Sequence, residues 1–362
     1  MPNNYLEEVQ KFLKAEFKEF NAVVMPDFFL DRFVNLNSNV RIFSKNLENV
    51  TERKGGSIDE IRQADFRGGN AANTASALAS LNIKTTPIVC TNRLGKQLIK
   101  FFLKSRKIDF SHVKTLKHAS ITTAMEFDTQ SGKVNVMLRD VGDLADFGPQ
   151  NLNSRDFNII EKADYICIFN WAGTRRFGTQ LAQKVFSHVK TNGKGKTYYD
   201  TADPTPNKGK IKELIKVLQG KLVDILSLNE NEAICYAMQI NGKIQKLKNT
   251  KLDELARESA RTIALNSHAR IDLHTTSFSA TFTRRRETII PAFKIPVLRA
   301  TGAGDAWNAG NIIGDAHELS DGCRLTLANL VAAFYVSHPE GKHPSKEDLI
   351  RFYEKLKRKT IL

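Results

Sequence analysis

The sequence predicts a three-layer α/β/α fold, with a mostly parallel central sheet, helices on both faces and a small antiparallel sheet beside it. Three observations carry this. Short apolar runs alternate with helix-like segments through most of the chain, the pattern of strands joined by crossover helices. Two stretches, about 35–66 and 113–140, break that rhythm with short β-like pieces and turn signals. The 362 residues are 41% hydrophobic, enough to bury a full core in one large domain.

In chain order, residues 1–20 read as an amphipathic helical extension. MPNNYLEEVQKFLKAEF mixes Glu and Lys with apolar residues at helical spacing and lacks the apolar core of a secretion signal. Residues 21–362 form a single domain that opens on NAVVM (21–25), a buried-strand pattern. An Ala-rich helix (70–81), a strand (85–90) and a helix (94–106) follow. ASITTAMEF and KVNVML, separated by QSGK, predict an antiparallel pair that stands off the main sheet as a lid. The alternation then resumes with ADYICIFN, a helix (179–189), KTYYD, a helix (210–218), VDILSL and helices over 230–238 and 252–265. The C-terminal third ends in helices over 304–317, 321–337 and 345–357.

Composition narrows the function classes. No stretch approaches 18 uninterrupted apolar residues, so no transmembrane helix is expected. Cys90, Cys167, Cys235 and Cys323 lie far apart without a CxxC pair, which fits reduced thiols and a cytoplasmic location. The net charge of +15 would suit an anionic partner, but the basic residues are scattered. Their densest groups are Arg284–Arg286 and Lys355, Lys357, Arg358 and Lys359, and no nucleic-acid-binding motif accompanies them. Neither nucleic acid nor a membrane is the expected partner.

The strongest chemical signal is Arg299-Ala-Thr-Gly-Ala-Gly-Asp305, followed by a helical pattern. Glycines at 302 and 304 leave a turn with little side-chain bulk. The amides of a helix N-terminus favour an anion there, such as a phosphate or a phosphoryl group in transfer. A carboxylate at that turn, Asp305, has the chemistry to accept a proton from an attacking hydroxyl. Taken alone, the same four residues are more often an ordinary glycine turn followed by a helix N-cap aspartate.

The rest of the chain changes that balance. TGAGDAWNAG resembles the C-terminal signature of the ribokinase/PfkB carbohydrate-kinase family, and RGGNAANTASALASLN (67–82) resembles its N-terminal signature. MPDFFLDRF (25–33) resembles the family's first strand and turn, and SLNENEA its N-x-x-E element. The resemblance spans nearly all of 21–357 and implies a ribokinase-like kinase that transfers phosphate from ATP to a sugar hydroxyl, with Mg²⁺ as cofactor. It implies Asp305 as general base and Gly302, Ala303 and Gly304 as the anion hole. Asp31, Gly68, Gly69 and Asn73 would bind the substrate. Asn229, Thr276, Ser279 and Asn329 would approach the nucleotide, and Glu232 would organise Mg²⁺ indirectly. It also allows a homodimer formed through the lid.

Several residues depart from the family pattern. Arg299 and Ala300 stand where an Asp and a Thr are usual, in a region that holds a monovalent cation in ribokinase. An arginine there repels potassium, so potassium-independent activity is expected. Its guanidinium could contact an anionic substrate group or form a surface salt bridge. The adenine-side loop reads His274-Thr-Thr-Ser-Phe-Ser279 and lacks both usual glycines. Leu30-Asp31-Arg32-Phe33 resembles the kinase half of heptose-phosphate enzymes, and Arg67, Arg139, Arg175 and Arg176 are candidate contacts to a substrate phosphate. Two rival readings are a nucleoside kinase, with Phe28, Phe29 and Trp171 lining its pocket, and a non-catalytic sugar or nucleotide sensor.

Overall fold

The computed structural model describes residues 3–130, 132–242, 244 and 250–358; Met1, Pro2, Ser131 of the QSGK turn and Lys359 lie outside them. Helix α1 (Asn3–Lys14) leads into β1 (Asn21–Met25), β2 (Phe29–Asn35), α2 (Val40–Glu52) and β3 (Arg62–Gly68). Then come α3 (Asn70–Ser80), β4 (Lys84–Pro87), β5 (Cys90–Thr91), α4 (Arg93–Phe102), β6 (Lys114–Thr115), β7 (Ser120–Thr129) and β8 (Gly132–Asp140). The middle of the chain forms α5 (Ser154–Lys162), β9 (Tyr165–Phe169), α6 (Gly178–Asn192), β10 (Lys196–Asp200), α7 (Ile211–Gln219), β11 (Ile225–Leu228), α8 (Glu230–Ile240) and α9 (Leu252–Leu265). The remainder is β12 (Arg270–His274), β13 (Phe278–Phe282), β14 (Glu287–Pro291), α10 (Ala303–Ala316), α11 (Asp321–Val336) and α12 (Lys346–Arg358).

An eight-stranded sheet runs in the order β14-β13-β12-β11-β10-β9-β1-β4. Its strands are parallel from β4 to β12, and β13 and β14 add an antiparallel edge. The two-residue period of a strand sends side chains to both faces. In β9, Ile166 and Ile168 enter the core under α5–α9, whereas Tyr165, Cys167 and Phe169 enter the core under α3, α10 and α11. Helix α1 buries Leu6, Val9 and Leu13 in the second core, which explains its amphipathic pattern.

A four-stranded sheet, β3-β2-β7-β8, stands apart from the main one. Two features differ from the sequence reading. The pairing of β2 with β7 is parallel, and residues 40–52 are helical within the segment expected to be β-like. Helix α2 starts where the Asn39 side chain accepts from the Ile42 amide, and Phe43 packs edge-on against Phe127 of β7 at 5.8 Å.

Strands β12–β14 also escaped the sequence reading, because β12 carries charge where buried strands are usually apolar. Asp272 of β12 is fully buried, paired with Arg270 at 2.9 Å and with the buried Arg324 of α11 at 3.0 Å. Burial pushes the Asp272 carboxyl up, but the charges of Arg270 and Arg324 outweigh it and hold it below the usual carboxylate range. Arg270 also reaches Asp315 of α10, so the cluster joins the sheet to two helices. Removing one member strands a buried charge. Arg324→Met is therefore expected to lower the unfolding free energy by about 3–5 kcal/mol in urea titration, and a loss under ~1 kcal/mol would show that the cluster does not hold the layers together.

Candidate active site

Polar side chains gather beyond the carboxyl ends of the parallel strands, where open α/β sheets place their ligands. Asp27 lies just past β1, Asn170 past β9, Asp200 at the end of β10, Asn229 past β11 and His274 at the end of β12. Asn170 and Ala202 hold left-handed backbone there, at φ of 50° and 55°. Asp27 is buried and accepts from the amides of Asn70 and Ala71, each at 2.9 Å, and from Asn170 Nδ2 at 2.7 Å. Burial raises its pKa against these bonds.

Helix α10 begins at the turn predicted to bind an anion. Gly302 caps it at φ 92°, a left-handed conformation, and a Cβ there would stand 2.3 Å from the Tyr335 hydroxyl. The Ala303 amide donates to Ala300 O at 3.1 Å and closes the turn. Among the described residues the amides of Gly304 and Asp305 have no partner; of the expected anion-hole residues, Ala303 is thus committed within the turn and Gly304 is free. Asp305 is buried, and its two oxygens accept from Asn70 Nδ2 and Asn73 Nδ2, each at 2.9 Å. Burial pushes the carboxyl well above its ordinary range, and the charges of Asp200 and Asp27 add to the shift against the two amides.

Asp200 accepts from Asn308 Nδ2 at 2.7 Å, and burial raises its carboxyl to about 6. Asn229 and Glu232 form a reciprocal cap at the start of α8, with the Glu232 amide donating to Asn229 Oδ1 at 3.0 Å and Asn229 N donating to Glu232 Oε2 at 3.0 Å. Burial and the neighbouring Asp200 raise the Glu232 pKa. Among the described residues no group of three or more His, Cys, Asp or Glu side chains is placed to hold a metal by itself.

Two cavities meet at Asp305. The larger, about 490 Å³, is lined by Asp200, Asn229, Glu232, His274 and the Gly302–Asp305 turn, with an apolar wall that includes Phe293 and Ile295. The smaller, about 220 Å³, lies between the turn and the four-stranded sheet and is lined by Asp27, Asp31, Asn73, Thr122 and Arg139 among others. Asn70, Gly302 and Asp305 line both.

Of the residues expected to hold substrate, Asp31, Gly69 and Asn73 line the smaller cavity. Gly68 does not, but a Cβ there would stand 2.2 Å from Asp31 Oδ2, so it makes room for that carboxylate. Of the residues expected near the nucleotide, Asn229, Thr276 and Asn329 line the larger cavity, together with Glu232. Asn329 is committed, accepting from Trp307 Nε1 at 2.9 Å and donating to Pro291 O at 3.2 Å. Ser279 lies outside both cavities, buried within β13 opposite His274.

The arginines separate in the same way. Arg139 lines the smaller cavity, with its guanidinium 4.7 Å from the Phe29 ring. Arg67 is instead bound to Gly341 O at 3.0 Å, and Arg176 pairs with Asp146 at 2.9 Å. Arg299 lines neither cavity and has no carboxylate partner among the described residues. Phe29 lines the smaller cavity, whereas Phe28 and Trp171 are buried in the cores. Asp27, Asn70, Asn170 and Asp200 were missed from sequence; the position of Asp27 and Asp200 at strand ends was the available signal.

The model of the pfkB family of carbohydrate kinases matches residues 43–348. A search of curated proteins finds no significant match. Similar solved structures include ribokinase from Thermotoga maritima, at 15% identity and TM-score 0.67, covering 93% of this chain and 100% of that one. Arabidopsis thaliana ribokinase complexed with ribose and ATP is similar at 16% identity and TM-score 0.69, covering 93% and 99%. The nucleoside kinase of Methanocaldococcus jannaschii is similar at 15% identity and TM-score 0.64, covering 94% and 100%. At such identities the structural likeness is one of fold, whereas the family model spans most of the sequence. The chain belongs to the pfkB family of carbohydrate kinases, enzymes that transfer phosphate to a hydroxyl group.

Proposed function

We propose that the protein transfers the γ-phosphoryl group of ATP to a hydroxyl, a hydroxymethyl by expectation, of a sugar or sugar derivative. The observation that carries this reading is the place of Asp305, buried and shared by a large cleft and a small cavity that Asp31, Asn73 and Arg139 also line. Nucleotide would occupy the larger cleft with its phosphates toward the turn, and the acceptor the smaller cavity. Asp31, Asn73 and Asp27 would bind acceptor hydroxyls, and Gly69 would border them. Asp305 would take the proton of the attacking hydroxyl as its oxygen bonds to the γ-phosphorus and the bond to the β-phosphate oxygen breaks, releasing ADP. The free amides of Gly304 and Asp305 would stabilise charge on the group in transfer.

The carboxylates of Asp200 and Glu232 fit a divalent cation, because they crowd the cleft unopposed by any cationic side chain lining it. Mg²⁺ characteristically uses one or two carboxylates together with phosphates and water, and when bound it neutralises phosphate charge. The four-stranded sheet would act as a lid over the acceptor and exclude water. A monovalent cation does not fit beside the turn, where the Arg299 guanidinium donates from Nε to Thr301 O at 3.4 Å. The nucleoside reading retains only Phe29 of its three aromatic candidates at the acceptor cavity.

The direct test is ADP release with ATP and Mg²⁺ against pentoses, hexoses, sugar phosphates, sugar acids and nucleosides. Acceptor-dependent turnover is expected to fall by roughly 10²-fold or more in Asp305→Asn. Absence of turnover with every acceptor, with ADP and GTP also tried as donors, would leave a binding protein instead. Catalysis needs Asp305 ionised, and its pKa is raised, so kcat/KM should climb with pH along a limb above the ordinary carboxylate range of ~4. Asn73→Ala removes a bond that favours the ionised form, so the limb should move to still higher pH; an unmoved limb would assign it to another group. Replacing potassium by choline should leave the rate unchanged, and potassium activation would contradict the role given to Arg299.

A further inference from the structure

We infer that Arg299 is a positioning residue that clamps the acceptor-side sheet to the phosphate-binding turn, an inference that rests on the kinase reading above. Arg299 lies three residues before Gly302, in the segment that joins β14 to α10. Its backbone amide donates to Val336 O at 3.1 Å and its Nε to Thr301 O at 3.4 Å. The Thr301 carbonyl also accepts from the Tyr335 hydroxyl at 2.9 Å. One end of this side chain is thus bound to the residue that precedes the helix cap.

The other end meets the small sheet. The guanidinium lies 5.4 Å from the ring of Phe33 on β2 and 4.9 Å from that of Phe66 on β3. The two rings pack edge-to-face at 5.3 Å. A cation over aromatic faces within about 6 Å is attracted by their quadrupoles, and more strongly when water is displaced. Phe33 lines the acceptor cavity, and Phe66 stands opposite Asp31 in the β2–β3 register. The Arg299 charge also acts on the Asp31 carboxyl and opposes the rise caused by its burial. Arg67, Tyr335 and His343 are the other titratable groups on which the same charge bears.

Arg299 has no ion-paired carboxylate among the described residues; the ring pair, the Thr301 carbonyl and the Tyr335 hydroxyl surround its guanidinium. This geometry gives it a particular task. An acceptor that settles against Phe33 and Asp31 draws the small sheet inward, and the ring pair carries that movement to the Arg299 stem and the Thr301 carbonyl. The amides of Gly304 and Asp305 then meet the phosphoryl group only when the acceptor wall is in place. A shift of about 1 Å in such a turn is enough to cost roughly 10²-fold in rate.

The test uses Arg299→Met, which keeps the stem and removes the charge, and Phe66→Leu, which removes one ring of the clamp and touches neither cavity. Each single variant is expected to lower kcat by about 10- to 100-fold and to raise the KM of the acceptor, while the KM of ATP stays within a factor of two. The double variant should be little worse than either single one, because both remove the same link. Arg299→Lys, which keeps the charge but not the planar group, should recover part of the lost rate. Additive losses, or equal changes in both KM values, would overturn the clamp and leave the kinase intact. A wild-type protein that turns over no acceptor would remove the kinase reading and this role with it.

Discussion

Helix α10 is buried along almost its whole length and yet carries Asp305, Asn308, Asn311 and Asp315. Each of these polar groups needs a partner, since a buried one left unpaired costs about 1–3 kcal/mol. Asn308 accepts from Tyr198 and Ser227 and donates to Asp200; Asn311 donates to Asp272 at 2.9 Å; Asp315 meets Lys196 and Arg270. Only one rotation and one axial position of the helix satisfy all four together. The ladder therefore keys α10 to the sheet, and the turn at its N-terminus inherits that precision. The free amides of Gly304 and Asp305, proposed to meet the phosphoryl group, are located by contacts that run the full length of the helix behind them.

The same keying concentrates negative charge at the crevice. Asp27, Asp200, Glu232 and Asp305 are all buried there, and burial raises each of their pKa values. In a structural core such crowding would be replaced by apolar packing, which satisfies the same volume without the desolvation cost. Here neutral amides temper it: Asn70 and Asn73 on Asp305, Asn170 on Asp27 and Asn308 on Asp200. These donors orient the carboxylates without neutralising them. In the proposed reaction the crevice would receive a cation and a proton, the two things that phosphoryl transfer brings.

Where the chain departs from its family, the structure supplies different physics for the same position. The turn after β12 lacks glycine, and the Thr275 hydroxyl closes it instead, accepting from the amides of Ser277 and Phe278 at 3.1 and 3.0 Å. His274 packs on Trp307 with ring centroids 5.0 Å apart and lines the larger cavity. Burial lowers its pKa to about 4, so this wall is neutral at physiological pH. Beside the Gly302 turn, a guanidinium held by two aromatic rings supplies a permanent cation.

The sequence by itself determined which segments bury one face and which turn lacks bulk. NAVVM, the apolar core of ADYICIFN and KTYYD read as strands because short, largely apolar runs between helical patterns are a local property. Helix α9 begins and ends at 252 and 265 as its pattern indicated, and the Gly302–Asp305 turn was legible for the same reason. Strand β12 was not, because the Arg270 and Asp272 charges look like surface until Arg324, some fifty residues on, is placed against them. Helix α2 was hidden among mostly exposed residues, of which Phe43 packs on Phe127 of β7, a contact distant in sequence. The roles of Asn70, Asn170 and Asn308 as amide partners of buried carboxylates, and the clamp of Arg299 on Phe33 and Phe66, depend on pairs distant in sequence. Local chemistry marks where an element starts and which side faces inward; only closure of the fold decides which buried charge meets which partner.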